Sequence, residues 1–401
     1  MTIKIAYLCD RSPDESWSYS GGNSRILREL QTHVGDVTIL NSGWHSADIV
    51  RRLIDQLPQQ ISARARWRMQ LFLSKIISRG VAQELRADKF DVLFCPYSFH
   101  SLANLDLPYP MVSVHTSDAT PTTYKRSEVG QSFGSYLSLS RLLDPSILKS
   151  EKKVFQATDL LLWPSRWLKE SADELYELDD KASFVVPWGA NIEAPSRDEL
   201  QIDEPIRGRL ELLLVGRDWF AKGGPLAFEI LQLLLGQGVP AHLTVIGCTP
   251  PEAHQCKEMT IHGHLDKSQP KDLATFTQAF QKSHFLLMPS LESYGFVFAE
   301  ASAYALPALG LRVGGVPIKE GVNGHAFALG TPPEHYANIL MRYMQKPQAY
   351  LALRRSARAY FETDLNWTAW GRRVRSLLEQ RLQTKAQKRE QSGQPRMLQP
   401  V

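Results

Sequence analysis

Residues 211–224 read Glu-Leu-Leu-Leu-Val-Gly-Arg-Asp-Trp-Phe-Ala-Lys-Gly-Gly. The apolar run Glu211–Val215 has the length and composition of a buried strand, and it stops on Gly216. A second apolar stretch, Leu226–Leu235, is predicted to be a helix. Between them, Arg217 and Lys222 flank glycines just ahead of a helix start. A guanidinium fork and a lysine point charge in that position suit a diphosphate. A solvent-exposed turn is the plain alternative.

The same alternation extends in both directions. Upstream, Lys4–Cys9, Asp91–Cys95, Pro110–Val114, Leu160–Trp163 and Phe184–Val186 read as strands, with helix-like segments such as Asn23–His33 and Ser146–Gln156 between them. Downstream come His242–Ile246, Ile261–Gly263, a helix at Leu273–Gln281 and a strand at His284–Met288. Strands separated by helices imply βαβ units and parallel sheets. The polar, acidic stretch Pro195–Gly208 reads as a linker or long surface loop between two α/β halves. Ligands of such sheets bind at the carboxyl ends of the strands, so a cleft between the halves is expected. Asn366–Gln383 is an amphipathic helix with Trp367, Trp370, Val374, Leu377, Leu378 and Leu382 at helical spacing. The expected domains are 1–192, 193–365, a helix over 366–383 and a disordered polar tail over 384–401.

The 401 residues are 43% hydrophobic and 22% charged, with a net charge of +4, which is ordinary globular usage. Four scattered cysteines fit buried thiols in a reducing, cytoplasmic setting better than a disulfide scaffold or zinc cluster. No apolar run is long enough to span a membrane, and Ile5–Cys9 is too short for a signal sequence. The mild charge gives no argument for nucleic acid.

Beyond Arg217 and Lys222, the chemistry concentrates in Glu292-Ser293-Tyr294-Gly295-Phe296-Val297-Phe298-Ala299-Glu300. Two carboxylates lie in an apolar stretch directly after a strand, where a charged group normally needs a partner. Gly295 permits a tight turn, and the helix it opens offers free N–H groups to an anion or to sugar hydroxyls. Ser20-Gly21-Gly22-Asn23 lacks the dinucleotide fingerprint but allows close backbone approach to a ligand. His115 ends the strand Pro110–Val114, where a histidine is either structural or faces the cleft. No Asp-x-Asp pair occurs, so no carboxylate-bound metal is expected.

In order along the chain, these pieces resemble the family 4 retaining glycosyltransferases of the GT-B fold, also described as glycosyltransferase group 1. The resemblance runs over roughly residues 1–383. It is carried by Gly21-Gly22, His115, Trp163–Trp167, Val186–Asn191, Gly216-Arg217 with Lys222-Gly223, the pair Glu292 and Glu300, Gly314-Gly315, and Gly321–Gly324. It implies two Rossmann-like domains facing each other across a cleft. It further implies that Arg217 and Lys222 hold the donor diphosphate with Gly22 approaching it, and that Glu300 takes the ribose hydroxyls. Gly263 and His264 would lie near the nucleotide base. Glu292 would lie by the donor sugar, with Ser293, Tyr294, Gly295 and Phe296 binding it, and His115 near the sugar and acceptor. The donor would be a nucleotide-diphosphate sugar, UDP- or GDP-linked, used without a metal or other cofactor. The acceptor would be a saccharide or lipid-linked. Ala305-Leu306-Pro307 departs from the family's Gly-x-Pro, and the loop Arg11–Trp17 is unusually polar.

Residues 51–79 carry Arg51, Arg52, Arg64, Arg66, Arg68, Lys75 and Arg79 beside Met69, Phe72, Leu73, Ile76 and Ile77. A basic amphipathic helix of this kind suits peripheral association with an anionic membrane, at its inner face for a cytoplasmic protein. The other reading is a core-packed helix with a solvated basic side. Two rival functions share the architecture: a sugar-nucleotide epimerase or hydrolase, and a non-catalytic nucleotide-sugar-binding partner subunit.

Overall fold

A computed structural model describes residues 2–15, 18–57, 59–132 and 142–391, without the side chains at 18, 59–64, 132 and 389. Twelve strands appear: β1 (Ile3–Tyr7), β2 (Gly35–Ile39), β3 (Val92–Pro96), β4 (Val112–Thr116), β5 (Leu160–Trp163), β6 (Ser183–Val185), β7 (Leu210–Val215), β8 (Ala241–Ile246), β9 (Met259–His262), β10 (Phe285–Met288), β11 (Ala308–Leu311) and β12 (Gly324–Phe327). They form two six-stranded sheets, in the orders β2-β1-β3-β4-β5-β6 and β12-β11-β10-β7-β8-β9. Every pairing is parallel. The chain divides into two compact units: Met1–Thr123, Tyr136–Val186 and Trp370–Val401 in the first, Tyr124–Ser135 and Pro187–Ala369 in the second.

The central strands are apolar almost throughout because helices cover both faces of a parallel sheet. Leu212, Leu213 and Leu214 of β7 and all four residues of β10 are inaccessible to solvent. Helix Gly224–Gly236 turns Ala227, Ile230, Leu231 and Leu234 toward the sheet, and helix Pro333–Gln345 adds Tyr336, Ala337 and Leu340 to the same cluster. Each such leucine or isoleucine contributes about 1.5–3 kcal/mol relative to exposure.

The sheet orders decide where ligands can bind. In the second sheet, β7 is followed by β8 and β9 on one side, while β10 lies on its other side. The first sheet reverses in the same way around β1, with β2 on one side and β3 on the other. At such a reversal, the loops leaving the two neighbouring strands diverge and open a crevice beyond their carboxyl ends.

Several expectations need correction. Strands β2, β11 and β12 escaped the sequence reading, because β2 is a partly exposed edge strand and the other two are short and glycine-containing. Pro195–Gly208 does not join the units but lies inside the second. Leu200 is buried there, Arg197 pairs with Glu362, and Arg354 Nη1 donates to the Gln201 carbonyl at 2.6 Å. The second unit begins at Pro187 rather than 193, since Trp188 packs against Tyr294 and stacks on Phe296. The last helix spans Trp367–Gln391, eight residues past 383, and Lys385 Nζ bonds Asp159 Oδ2 and the Met111 carbonyl, both at 2.7 Å. The rest of the tail expected to be disordered, 392–401, lies outside the described residues.

Residues 51–79 are not one helix. They fall in helices Asp48–Asp55, Gln59–Phe72 and Ser74–Ala87. Arg51 and Arg66 both pair with Asp55, and Met69, Leu73 and Ile77 pack into the core. The Arg64 side chain lies outside the described residues.

Candidate functional site

The loops leaving β7 and β10 carry the expected diphosphate and sugar residues to the reversal point of the second sheet. Gly223 sits in the left-handed region (φ 74°) as N-cap of helix Gly224–Gly236. A Cβ there would overlap the Pro289 carbonyl oxygen of the β10 loop, so glycine lets the two loops pack backbone to backbone. Gly314, after β11, plays the same part against the Glu292 carbonyl (φ 57°). Gly315 N–H donates to the Ser293 carbonyl at 2.9 Å, which fixes the course of the Glu292 loop.

Lys222 Nζ forms an ion pair with Glu292 Oε1, and Ser290 Oγ donates to the same oxygen at 3.1 Å. Arg217 is exposed and has no hydrogen-bond or ion-pair partner among the described residues. Two helices start beside these groups, at Gly224 and Phe296, and neither has a side-chain cap. Their free N–H groups and dipole ends favour a negative charge. One loop pair thus holds a lysine, a free arginine and two open helix N-termini.

Glu300 lies on helix Phe296–Ala303 with only 6% of its surface exposed. Lys267 Nζ approaches Glu300 Oε1 at 3.5 Å while riding over the Phe276 ring. Gly263 and His264 are exposed just past β9. The side chains of Tyr294 and Phe296 are committed elsewhere. Tyr294 is buried with its O–H donating to the Trp188 carbonyl at 2.6 Å, and the Phe296 ring stacks on Trp188 with centroids 5.6 Å apart. Only the backbone of that segment is left to meet a ligand.

In the first unit, Gly22 opens helix Gly22–His33 after a turn in which Tyr19, Ser20 and Gly21 all have positive φ. His115 is sealed into the interior of the first unit. It is 1% exposed on β4, its Nδ1 bonds the Cys95 carbonyl at 2.9 Å, and its ring packs among Phe155 and Trp163. Burial pushes its pKa down to about 3, so the imidazole is a neutral core group.

Three residues near these strand ends carry little signal in the sequence: Lys267, which stands against Glu300, and Asp10 and His100, which follow β1 and β3. Their signal was position alone: each comes within a few residues of a predicted strand's carboxyl end. Among the described residues, no group of three or more His, Cys, Asp or Glu side chains gathers as a metal site. No described helix is long and apolar enough to cross a membrane.

Residues 209–346 match the family described as Glycosyl transferases group 1. A curated relative, D-inositol 3-phosphate glycosyltransferase of Corynebacterium glutamicum (strain R), is 24% identical over 222 residues, covering 50% of this chain. The match spans about half of that relative, 52% of its length. Among solved structures, sucrose-phosphate synthase from Thermosynechococcus elongatus superposes with a TM-score of 0.63 at 18% identity, covering 95% of this chain and 100% of the other. Anabaena HepE, solved in complex with UDP and glucose, gives 0.59 at 15% identity, covering 94% and 100%. The expected fold is borne out: two parallel α/β sheets of the GT-B class.

Proposed function

We propose that this chain, whose residues 209–346 carry the group 1 glycosyl transferase match, is a glycosyltransferase that takes its sugar from a nucleotide-diphosphate donor. The second unit binds the donor, UDP- or GDP-linked, and the first binds a saccharide or lipid-linked acceptor. The carrying observation is the Lys222–Glu292 pair beside the exposed Arg217 and two uncapped helix N-termini. Such a set stabilises an anion that gains charge as it leaves. The HepE complex with UDP and glucose supports the donor class.

In this reading, Arg217 and Lys222 neutralise the departing diphosphate. Glu292, released from Lys222, accepts hydrogen bonds from the donor sugar, and the backbone of Tyr294–Phe296 meets its other hydroxyls. Glu300 takes the ribose hydroxyls in place of Lys267. The bond from the anomeric carbon to phosphate breaks as the bond to the acceptor oxygen forms on the same face. The acceptor proton passes to the departing phosphate oxygen, so configuration is retained without a side-chain base. The family 4 resemblance supports retention and metal independence.

The test is release of nucleoside diphosphate from UDP- and GDP-sugars in the presence of saccharide and lipid-linked acceptors. Acceptor-dependent release that collapses in Glu292→Gln supports the proposal. Free sugar released without an acceptor would make the protein a hydrolase. A Glu292→Gln variant as active as wild type would refute the assigned site.

Association with an anionic membrane is favoured by a separate observation. Phe72, which ends one helix, is 79% exposed, and Ile76, in the first turn of the next, is 42% exposed and followed by the exposed cation Arg79. Exposed aromatic and aliphatic groups beside cations suit an interfacial surface. Flotation with anionic liposomes at low salt should carry the wild type and leave Phe72→Glu/Ile76→Glu behind. Equal flotation of both would remove this part of the reading.

A further inference from the structure

The first sheet has its own reversal point, between β1 and β3, and the loops leaving those strands bring Asp10 and His100 together. Asp10 Oδ1 accepts the Tyr19 hydroxyl at 2.8 Å, and its backbone N–H donates to Ser98 Oγ at 3.2 Å. The Asp10 carbonyl accepts from the Arg66 guanidinium. Its Oδ2 faces His100 Nε2 at 3.8 Å, too far for a direct hydrogen bond. His100 is 4% exposed, yet neither of its ring nitrogens has a hydrogen-bond partner among the described residues, and Arg66 Nε is buried in the same condition. Buried polar atoms in folded proteins nearly always find a partner, because leaving one unmade costs its desolvation.

A hydroxyl group has the chemistry this gap lacks. Its O–H can donate to Asp10 Oδ2 while its oxygen accepts from the His100 N–H. An anion does not fit. Burial pushes the Asp10 carboxyl up, but the adjacent His100 imidazole and the Ser98 and Tyr19 hydroxyls outweigh it and hold the group well below the usual carboxylate range. Asp10 therefore meets a ligand as a carboxylate, which accepts a hydroxyl proton and repels an anion. The backbone around it is held in the left-handed region at Tyr19 (φ 51°) and Tyr97 (φ 61°), whose rings stack 3.9 Å apart. Two bulky residues kept in that conformation carry a local cost that the surrounding contacts must outweigh.

We propose that Asp10 and His100 form a hydroxyl-binding subsite for a neutral polyhydroxylated ligand, with Arg66 at its edge. That this ligand is the sugar acceptor rests on the glycosyltransferase reading; the subsite itself does not. The test is saturation-transfer NMR on the full chain with D-glucose, D-mannose, N-acetyl-D-glucosamine and myo-inositol, with inorganic phosphate as competitor. UDP binding is measured by calorimetry on the same samples. The expected result is binding of at least one polyol to the wild type, weakened about tenfold to a hundredfold in Asp10→Asn and His100→Gln, with UDP affinity unchanged. Should Asp10→Asn fail to fold, His100→Gln decides, because it keeps the Tyr19–Asp10 bond.

No binding by any polyol, equal binding in the folded variants, or displacement of the polyol by phosphate would each overturn the subsite. Polyol binding with the expected variant losses but no UDP binding would leave the subsite standing and remove the glycosyltransferase reading instead.

Discussion

The two sheets reverse their strand order in the same way, yet their reversal points carry opposite chemistry. In the second unit each of the two acids is met by a lysine from another loop, Glu292 by Lys222 and Glu300 by Lys267, and Arg217 has no partner among the described residues. In the first unit one carboxylate, Asp10, is served by a hydroxyl donor and faces a histidine with two open nitrogens. Cations that can change partner suit a polyanion. A carboxylate set beside a hydroxyl donor and an open imidazole suits hydroxyls. One architecture thus offers a charged ligand and a neutral one separate places, and the loops rather than the strands decide which goes where.

The sharpest way to break this contrast is to remove the cations. Lys222→Ala should lower turnover with a nucleotide sugar by about 2–4 kcal/mol of barrier, and adding Arg217→Ala should lower it further. Steady-state kinetics on the donor checks this. Wild-type turnover in the double variant would show that the second reversal point is not the phosphate site.

Protonation acts on both units alike. His115 in the first unit and His284 in the second are both depressed by burial, to about 3 and about 4, with Arg354 adding to the effect at His284. Below the ordinary histidine value the unfolded chain takes up a proton that the folded interior refuses, so stability falls as pH drops. For His115 the loss is about 3 kcal/mol between pH 6.5 and about pH 4. Urea melts across that range should show it, and His115→Asn should flatten the profile. An unchanged slope in that variant would return His115 to an accessible position.

Backbone packing offers a smaller test. Gly314→Ala forces a Cβ onto the Glu292 carbonyl at φ 57° and should cost about 2–3 kcal/mol, read by urea denaturation. The smallest effect is expected at Ala305, a buried alanine at φ 52° where the resembling family carries glycine. Ala305→Gly should stabilise by up to about 1 kcal/mol, seen as a higher urea midpoint. A loss instead would mean that burial of the methyl group outweighs relief of the backbone.

The second unit was the more legible in sequence, for a physical reason. Its chemistry sits in two short segments, Gly216–Gly224 and Glu292–Glu300, each following an unbroken apolar strand, so local pattern and function coincide. The cluster of the first unit is assembled from Asp10, Arg66 and His100, tens of residues apart, and only the strand order brings them together. Arg66 shows the difficulty. On a helical wheel it counts as one more surface cation, whereas in the fold it bonds the Asp10 carbonyl and pairs with Asp55. His115 poses the converse difficulty, because nearness to a strand end does not reveal that the imidazole is buried. At Ala305 the backbone takes a left-handed turn with an alanine in place.

The central claim, that the loops of β7 and β10 hold a nucleotide diphosphate, is tested most directly by isothermal titration calorimetry with UDP and GDP. The account predicts saturable binding of one of them to the wild type and its loss in Arg217→Ala/Lys222→Ala, with the melting temperature of the free protein unchanged. Binding that persists undiminished in the double variant, or no binding of either nucleotide to the wild type, would contradict it.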